Sequence, residues 1–163
     1  MATRSTISLV LRKEDIGKEM KFDVTKLPKG VVYADEYIDM VQSVVLEQPV
    51  LEVYCHWGGS TENLGLTLFK QYNDYDTILN LLLGGDTSYI YEDNVCQYCA
   101  WRGEKWEDVK PIQTDSAEYK EDFAYQFNDG EWYVYYGDLE WEKLREHLEY
   151  EGLIEFDEDN EVE

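Results

Sequence analysis

Val50-Leu51-Glu52-Val53-Tyr54-Cys55-His56-Trp57-Gly58-Gly59-Ser60-Thr61 is the stretch on which the fold turns. Its first eight residues alternate: Leu51, Val53, Cys55 and Trp57 share one side, and Glu52, Tyr54 and His56 the other. That period of two is the mark of a strand with one face in a core. Gly58-Gly59-Ser60-Thr61 breaks the alternation, and the spacing then changes to that of a helix over 62–72, with Leu64, Leu68, Phe69 and Tyr72 on its apolar side. A second helix follows a cap at Asp74 or Asp76. It carries Tyr75, Ile78, Leu79 and Leu82 at i, i+3, i+4 and i+7, and Gly84-Gly85 is its natural stop.

Outward from this unit the pattern is mostly extended. Residues 5–12 alternate with Ile7, Leu9 and Leu11 on one side and predict a strand, with 18–24 as a hairpin partner. The stretch 35–47 fits a helix or a strand, and the spacing of Tyr37, Met40, Val41, Val44 and Val45 favours helix. Residues 95–101 predict another strand, and 103–120, around Pro111, a loop-rich segment. The runs 123–127 and 132–136 flank Asn128-Asp129-Gly130, a tight-turn signal because Asp-Gly tolerates positive φ. Residues 139–150 predict a last helix, with Trp141, Leu144 and Leu148 inward and most carboxylates outward. The expectation is a single α+β domain over 1–154: an antiparallel sheet packed with two central helices, plus a C-terminal hairpin and acidic helix. An acidic tail over 155–163, six of its nine residues Asp or Glu, is expected to be mobile.

The 163 residues carry 36 acids and 14 bases, a formal charge of −22. The excess is uneven: residues 1–114 hold 18 acids and 11 bases, and 115–163 hold 18 and 3. Such a surface repels nucleic acid and anionic membrane and attracts basic protein surfaces. Hydrophobic residues at 44% and aromatics at 15% oppose acidic disorder, which goes with few aromatics. No run approaches a membrane span, and the opening Met-Ala-Thr-Arg-Ser-Thr-Ile lacks the apolar centre of a signal peptide. Three cysteines, an odd number, fit reduced thiols in a cytoplasm.

Neighbouring side chains on a strand point to opposite faces, so Cys55 and His56 form no direct dyad, and Cys55 reads as a core thiol. Cys96 and Cys99 have the spacing of half a zinc site but no second pair completes it, so no metal is expected. No catalytic residue and no cofactor are expected either. Two binding readings remain open. Asp138, Glu140, Glu142, Glu146 and Glu149, with Tyr133 and Tyr135 from the hairpin, can imitate the charge density of a nucleic-acid backbone. Alternatively Gly58 and Gly59, before a helix N-terminus, can seat an anion beside Tyr54, His56, Trp57 and Arg102.

Ala2-Thr3-Arg4-Ser5-Thr6-Ile7, with Val53-Tyr54-Cys55-His56-Trp57-Gly58-Gly59, resembles a group of small tailed-phage proteins without assigned function. Leu83-Gly84-Gly85-Asp86, Arg102-Gly103-Glu104 and Trp132-Tyr133-Val134 match further segments of that group. The chain departs from it at Gly58, where the group has Asp, at the extra glycine of Gly84-Gly85, and by an insertion over 13–49. The resemblance implies a phage origin and a role among accessory or early genes. The expectation is therefore a non-enzymatic phage protein of the host cytoplasm that inhibits a host protein by covering its basic, nucleic-acid-binding surface. It would bind neither nucleic acid nor membrane directly. The alternatives are a small-ligand binder that sequesters an anionic nucleotide signal, and a virion or structural accessory protein.

Overall fold

The computed structural model describes residues 3–33, 35–98, 104–118, 120–137 and 140–156. The strand expected in the opening stretch is β5 (Val50–Cys55), and it lies in the middle of a mixed sheet. β1 (Ser5–Val10) pairs antiparallel with it along its whole length, from Ser5 opposite Cys55 to Val10 opposite Val50. On the far side of β1 runs β9 (Phe123–Asn128), parallel, followed by β10 (Glu131–Tyr136) and the short β11 (Glu142–Lys143). The turn between β9 and β10 holds Asp129 at φ 50° and Gly130 at φ 83°, the two positive angles of a two-residue hairpin.

The other edge of β5 is divided. β8 (Ile112–Thr114) takes Val50, Leu51 and Glu52, whereas β6 (Thr87–Ile90) pairs with β5 only at Cys55. β7 (Asn94–Gln97) and β3 (Val32–Tyr33) extend the sheet beyond β6. A separate two-stranded ribbon joins β2 (Glu19–Met20) to β4 (Val44–Val45).

Alternation sorts the side chains. Ile7, Leu9, Leu51, Val53, Cys55, Tyr125, Phe127, Trp132 and Val134 are buried together under the helices α1 (Leu66–Gln71) and α2 (Tyr75–Leu83). Each large apolar side chain so buried contributes roughly 1.5–3 kcal/mol. α1 is preceded by a π-helical turn at Thr61–Gly65, and Asp74 caps α2 by accepting from the Thr77 N–H at 2.8 Å. α4 (Leu144–Tyr150) packs on this same side through Leu144 and Leu148. The opposite face carries Thr6, Ser8, Glu52, Tyr54, Gln126, Tyr133 and Tyr135, as the strand registers require.

The α+β class and the two central helices agree with the sequence reading. Several local expectations do not. Residues 18–24 supply β2, which pairs with β4 rather than with β1. Residues 35–47 are not one helix: a 3-10 turn at Asp35–Met40 gives way to β4, where the β-branched Val44 and Val45 find a strand partner. The stretch 103–120 contains a short helix, α3 (Trp106–Val109), as well as β8. The last helix starts at Leu144, because pairing with Tyr133 and Val134 holds Glu142 and Lys143 extended. Trp141 lies outside that helix and packs its ring on Tyr135, centroids 5.5 Å apart. Asp138, Arg102 and residues 157–163 of the expected mobile tail lie outside the described residues.

Candidate functional site

Two clusters of polar and aromatic side chains stand out. One is built on the outer face of β5. Tyr54 and His56, two residues apart on a strand, project from the same face, and the Tyr54 hydroxyl meets His56 Nδ1 at 2.7 Å. Tyr98 packs edge-on against both rings at 5.5 and 5.4 Å, and Trp57 lies edge-on to His56 at 4.8 Å. Burial, opposed by the nearby Arg4 cation, pushes the Tyr54 phenol up to about 12. It therefore stays protonated at neutral pH and can donate to the imidazole.

Below these rings sit two carboxylates that sequence reasoning did not single out. The divided edge of β5 leaves the Tyr54 N–H between the β8 and β6 pairings, and Asp86 Oδ1 accepts it at 2.9 Å. Burial raises the Asp86 carboxyl to about 7, its hydrogen bond from Tyr54 working the other way and the Glu52 charge adding to the rise. Glu52 is 2% exposed. Lys120 reaches its Oε2 at 2.8 Å, while its Oε1 has no hydrogen-bond partner. An acid near 7 can exchange protons at neutral pH. Here one oxygen of that acid closes a gap in a sheet, which is a structural duty.

At the anion seat expected at Gly58 and Gly59, the second glycine is engaged by the chain itself. The Gly59 N–H donates to Thr3 C=O at 2.9 Å, and the Gly59 carbonyl accepts from the Tyr125 hydroxyl at 2.7 Å. A Cβ on Gly59 would lie 2.8 Å from Thr3 O, so glycine is there for the close passage of two backbones rather than for a ligand. The turn that follows is served by the chain's own acid: Thr61 Oγ1 donates to Glu151 Oε1 at 2.8 Å. Tyr54, His56 and Trp57 are brought together, but the Gly59 N–H is already taken by Thr3.

The second cluster centres on His147, 8% exposed on α4. Its Nδ1 lies 2.8 Å from Glu142 Oε1 and its Nε2 2.8 Å from Glu151 Oε1. Tyr136 and Thr61 hydroxyls stand 3.3 Å from the same two nitrogens. Residues 61, 136, 142, 147 and 151 are thus one clasp between β10, β11, α4 and the π-helical turn. The signal available in the sequence was the i, i+4 spacing of His147 and Glu151.

The acids grouped by the sequence reading separate accordingly. Glu140 and Glu146 are exposed and Glu149 half-buried, but Glu142 is engaged by His147. Tyr133 and Tyr135 are half-buried on the outer face of the sheet, whereas α4 covers the other face. They do not form one array with Glu146 and Glu149. Cys55 is fully buried, its thiol pushed up to about 11 by burial, as befits a core residue. Cys96 is also buried, and Cys99 lies outside the described residues. Among the described residues no group of three or more His, Cys, Asp or Glu is placed to hold a metal ion, and no helix is long and apolar enough to cross a membrane. Compared with known proteins, the chain matches no family model, no curated protein and no solved structure.

Proposed function

We propose that the protein is a non-enzymatic phage protein that binds a basic, nucleic-acid-binding surface of a host protein and so inhibits it, with the acidic C-terminal half as the contact. One observation carries this reading: the few cations of that half are committed elsewhere. Lys120 is bound to the buried Glu52, Lys143 lies 4.0 Å from Glu131, and the Arg145 guanidinium sits 5.0 Å over the Phe69 ring. Exposed Asp129, Glu140, Glu146 and Glu155 make no ion pair among the described residues, so their field is directed outward. The array is irregular and spread over a hairpin turn, a strand lead-in and a short helix. It imitates phosphate by density of charge rather than by helical spacing. Phage setting and host partner rest on the sequence resemblance and on the charge.

Immobilised protein exposed to bacterial lysate, then washed with duplex DNA at constant ionic strength, tests the reading. Nucleic-acid-binding proteins should elute with the DNA. Their capture should fall steeply between about 50 and 500 mM salt, because exposed charges are screened beyond about 8 Å at physiological ionic strength. The triple substitution Glu140→Gln, Glu146→Gln and Glu149→Gln should weaken it. Capture indifferent to salt and to these substitutions would remove the proposal.

A further inference from the structure

A second group of exposed acids lies in the first half of the chain, beside the turn that Glu151 and His147 meet. The π-helical turn and α1 present Glu62, Leu66 and Lys70 at four-residue intervals along one wall of a cleft of about 360 Å³. The turn between β6 and β7 supplies the other wall, with Tyr91, Glu92 and Asp93 all exposed. The walls are tied where Gln71 Nε2 donates to Glu92 C=O at 3.0 Å. Tyr91 is 43% exposed, and stacking on Tyr89 at 4.4 Å and 17° fixes the plane of its ring. Gly58 borders the ring without covering it: even a Cβ there would stand 3.4 Å from Tyr91 Cε1.

We propose that this cleft receives an arginine side chain of a basic protein partner, an inference that rests on the reading of that partner as basic. The fit is chemical. A guanidinium combines a flat apolar face with five N–H donors at its edge. Leu66 and the Tyr91 ring offer the apolar and π surface, and Glu62, Glu92 and Asp93 are the acids among the lining residues. Lys70 shares the lining but forms no ion pair with these acids among the described residues, and Asp93 Oδ1 already accepts from Asn94 Nδ2 at 2.7 Å, which leaves the two glutamates as the main acceptors. An ammonium would meet the same charge without the flat stacking face. The site therefore prefers arginine to lysine, which net charge alone would not do.

The test uses triarginine amide and trilysine amide as probes, titrated at low salt into the isotopically labelled full-length protein and followed by NMR. Shifts should centre on Leu66, Tyr91 and their neighbours. Triarginine should bind about three- to fivefold more tightly than trilysine, and Tyr91→Ala should remove most of that preference. Tyr91→Leu, which keeps apolar volume without the π face, serves as the second variant should Tyr91→Ala disturb the fold. Glu62→Gln with Glu92→Gln should weaken both peptides. Equal affinity for the two peptides, or full binding by both Tyr91 variants, overturns the proposal. Shifts centred on residues 140–155 instead would also overturn it, while leaving the basic-partner reading intact. An absence of binding anywhere would remove both.

Discussion

The two histidines are used in contrasting ways. His56 stands at the end of a strand among Tyr54, Trp57 and Tyr98, with one phenol on its Nδ1. His147 is buried in a clasp of Glu142 and Glu151, with a carboxylate at each ring nitrogen. The first decorates a sheet whose hydrogen-bond ladder holds without it. The second joins the paired strands β10 and β11 to α4 and the π-helical turn. Position in the fold, rather than the residue type, decides what a histidine contributes.

Removing His147 should therefore have the largest effect. His147→Ala takes away the ring that both Glu142 and Glu151 contact, leaving Glu151 with the Thr61 hydroxyl alone among its described partners. Losing a buried side chain together with its two polar contacts, to carboxylates that are 40% exposed, should cost about 2–3 kcal/mol. Urea unfolding measures it. Adding Glu142→Gln and Glu151→Gln to His147→Ala should recover part of the loss, because the stranded charges go with their partner. If His56→Ala destabilises as much as His147→Ala, the contrast between the two histidines is wrong.

Asp86 makes a second contrast, this time in sign. Its carboxyl is raised to about 7 from an ordinary 3.8, so the folded state favours the protonated form. Stability contributed by that proton is complete below about pH 4 and is lost as pH rises toward 7 and beyond. Asp86→Asn keeps an oxygen to accept the Tyr54 N–H and carries no charge to desolvate. It should stabilise the protein by about 1–3 kcal/mol at pH 8 and change it little near pH 3.5, below the ordinary carboxyl value. Melting curves at the two pH values decide the matter. Destabilisation at both would mean that the charge on Asp86 is needed, and would turn attention to it as a reacting group.

How much of this was legible beforehand follows from range along the chain. The alternation of 50–57 placed Tyr54 and His56 on one face, and the structure joins them at 2.7 Å. The Asp-Gly hairpin and the two central helices were equally local. Asp86 and Glu52 escaped notice because their importance depends on β5 having two partners on one edge, β8 from residues 112–114 and β6 from residues 87–90. The clasp needs Thr61 beside Glu151, 90 residues apart. The last helix was drawn too long because Trp141, Leu144 and Leu148 fit helical spacing, and nothing local says that Trp141 packs on Tyr135 instead.

A smaller effect is expected from Tyr54→Phe. It removes only the hydroxyl on His56 and leaves the ring packing with Tyr98, so about 0.5–1.5 kcal/mol should be lost. The imidazole resonances of His56 should shift, while those of His147 stay in place. Movement of both would show the two clusters to be linked through the sheet.

The smallest effect concerns acids that look alike in the sequence. Glu140 and Glu146 are exposed and have no ion pair among the described residues, whereas Glu142 accepts from His147 at 2.8 Å. Glu140→Gln with Glu146→Gln should leave stability within about 0.5 kcal/mol, since surface changes away from specific contacts rarely do more. It should act on the field alone, lowering affinity for basic protein with the fold unaltered. Glu142→Gln keeps an oxygen to accept from His147 but gives up the charge, so it should cost about 1 kcal/mol in stability. Its effect on partner binding should be the weaker of the two, because its carboxylate is already engaged by the ring. Parallel unfolding and binding measurements on the two variants separate charge that holds the protein together from charge turned toward a partner. If Glu142→Gln instead weakens binding as much as the exposed pair does, the clasp belongs to the contact surface, and the division between the two kinds of acid falls.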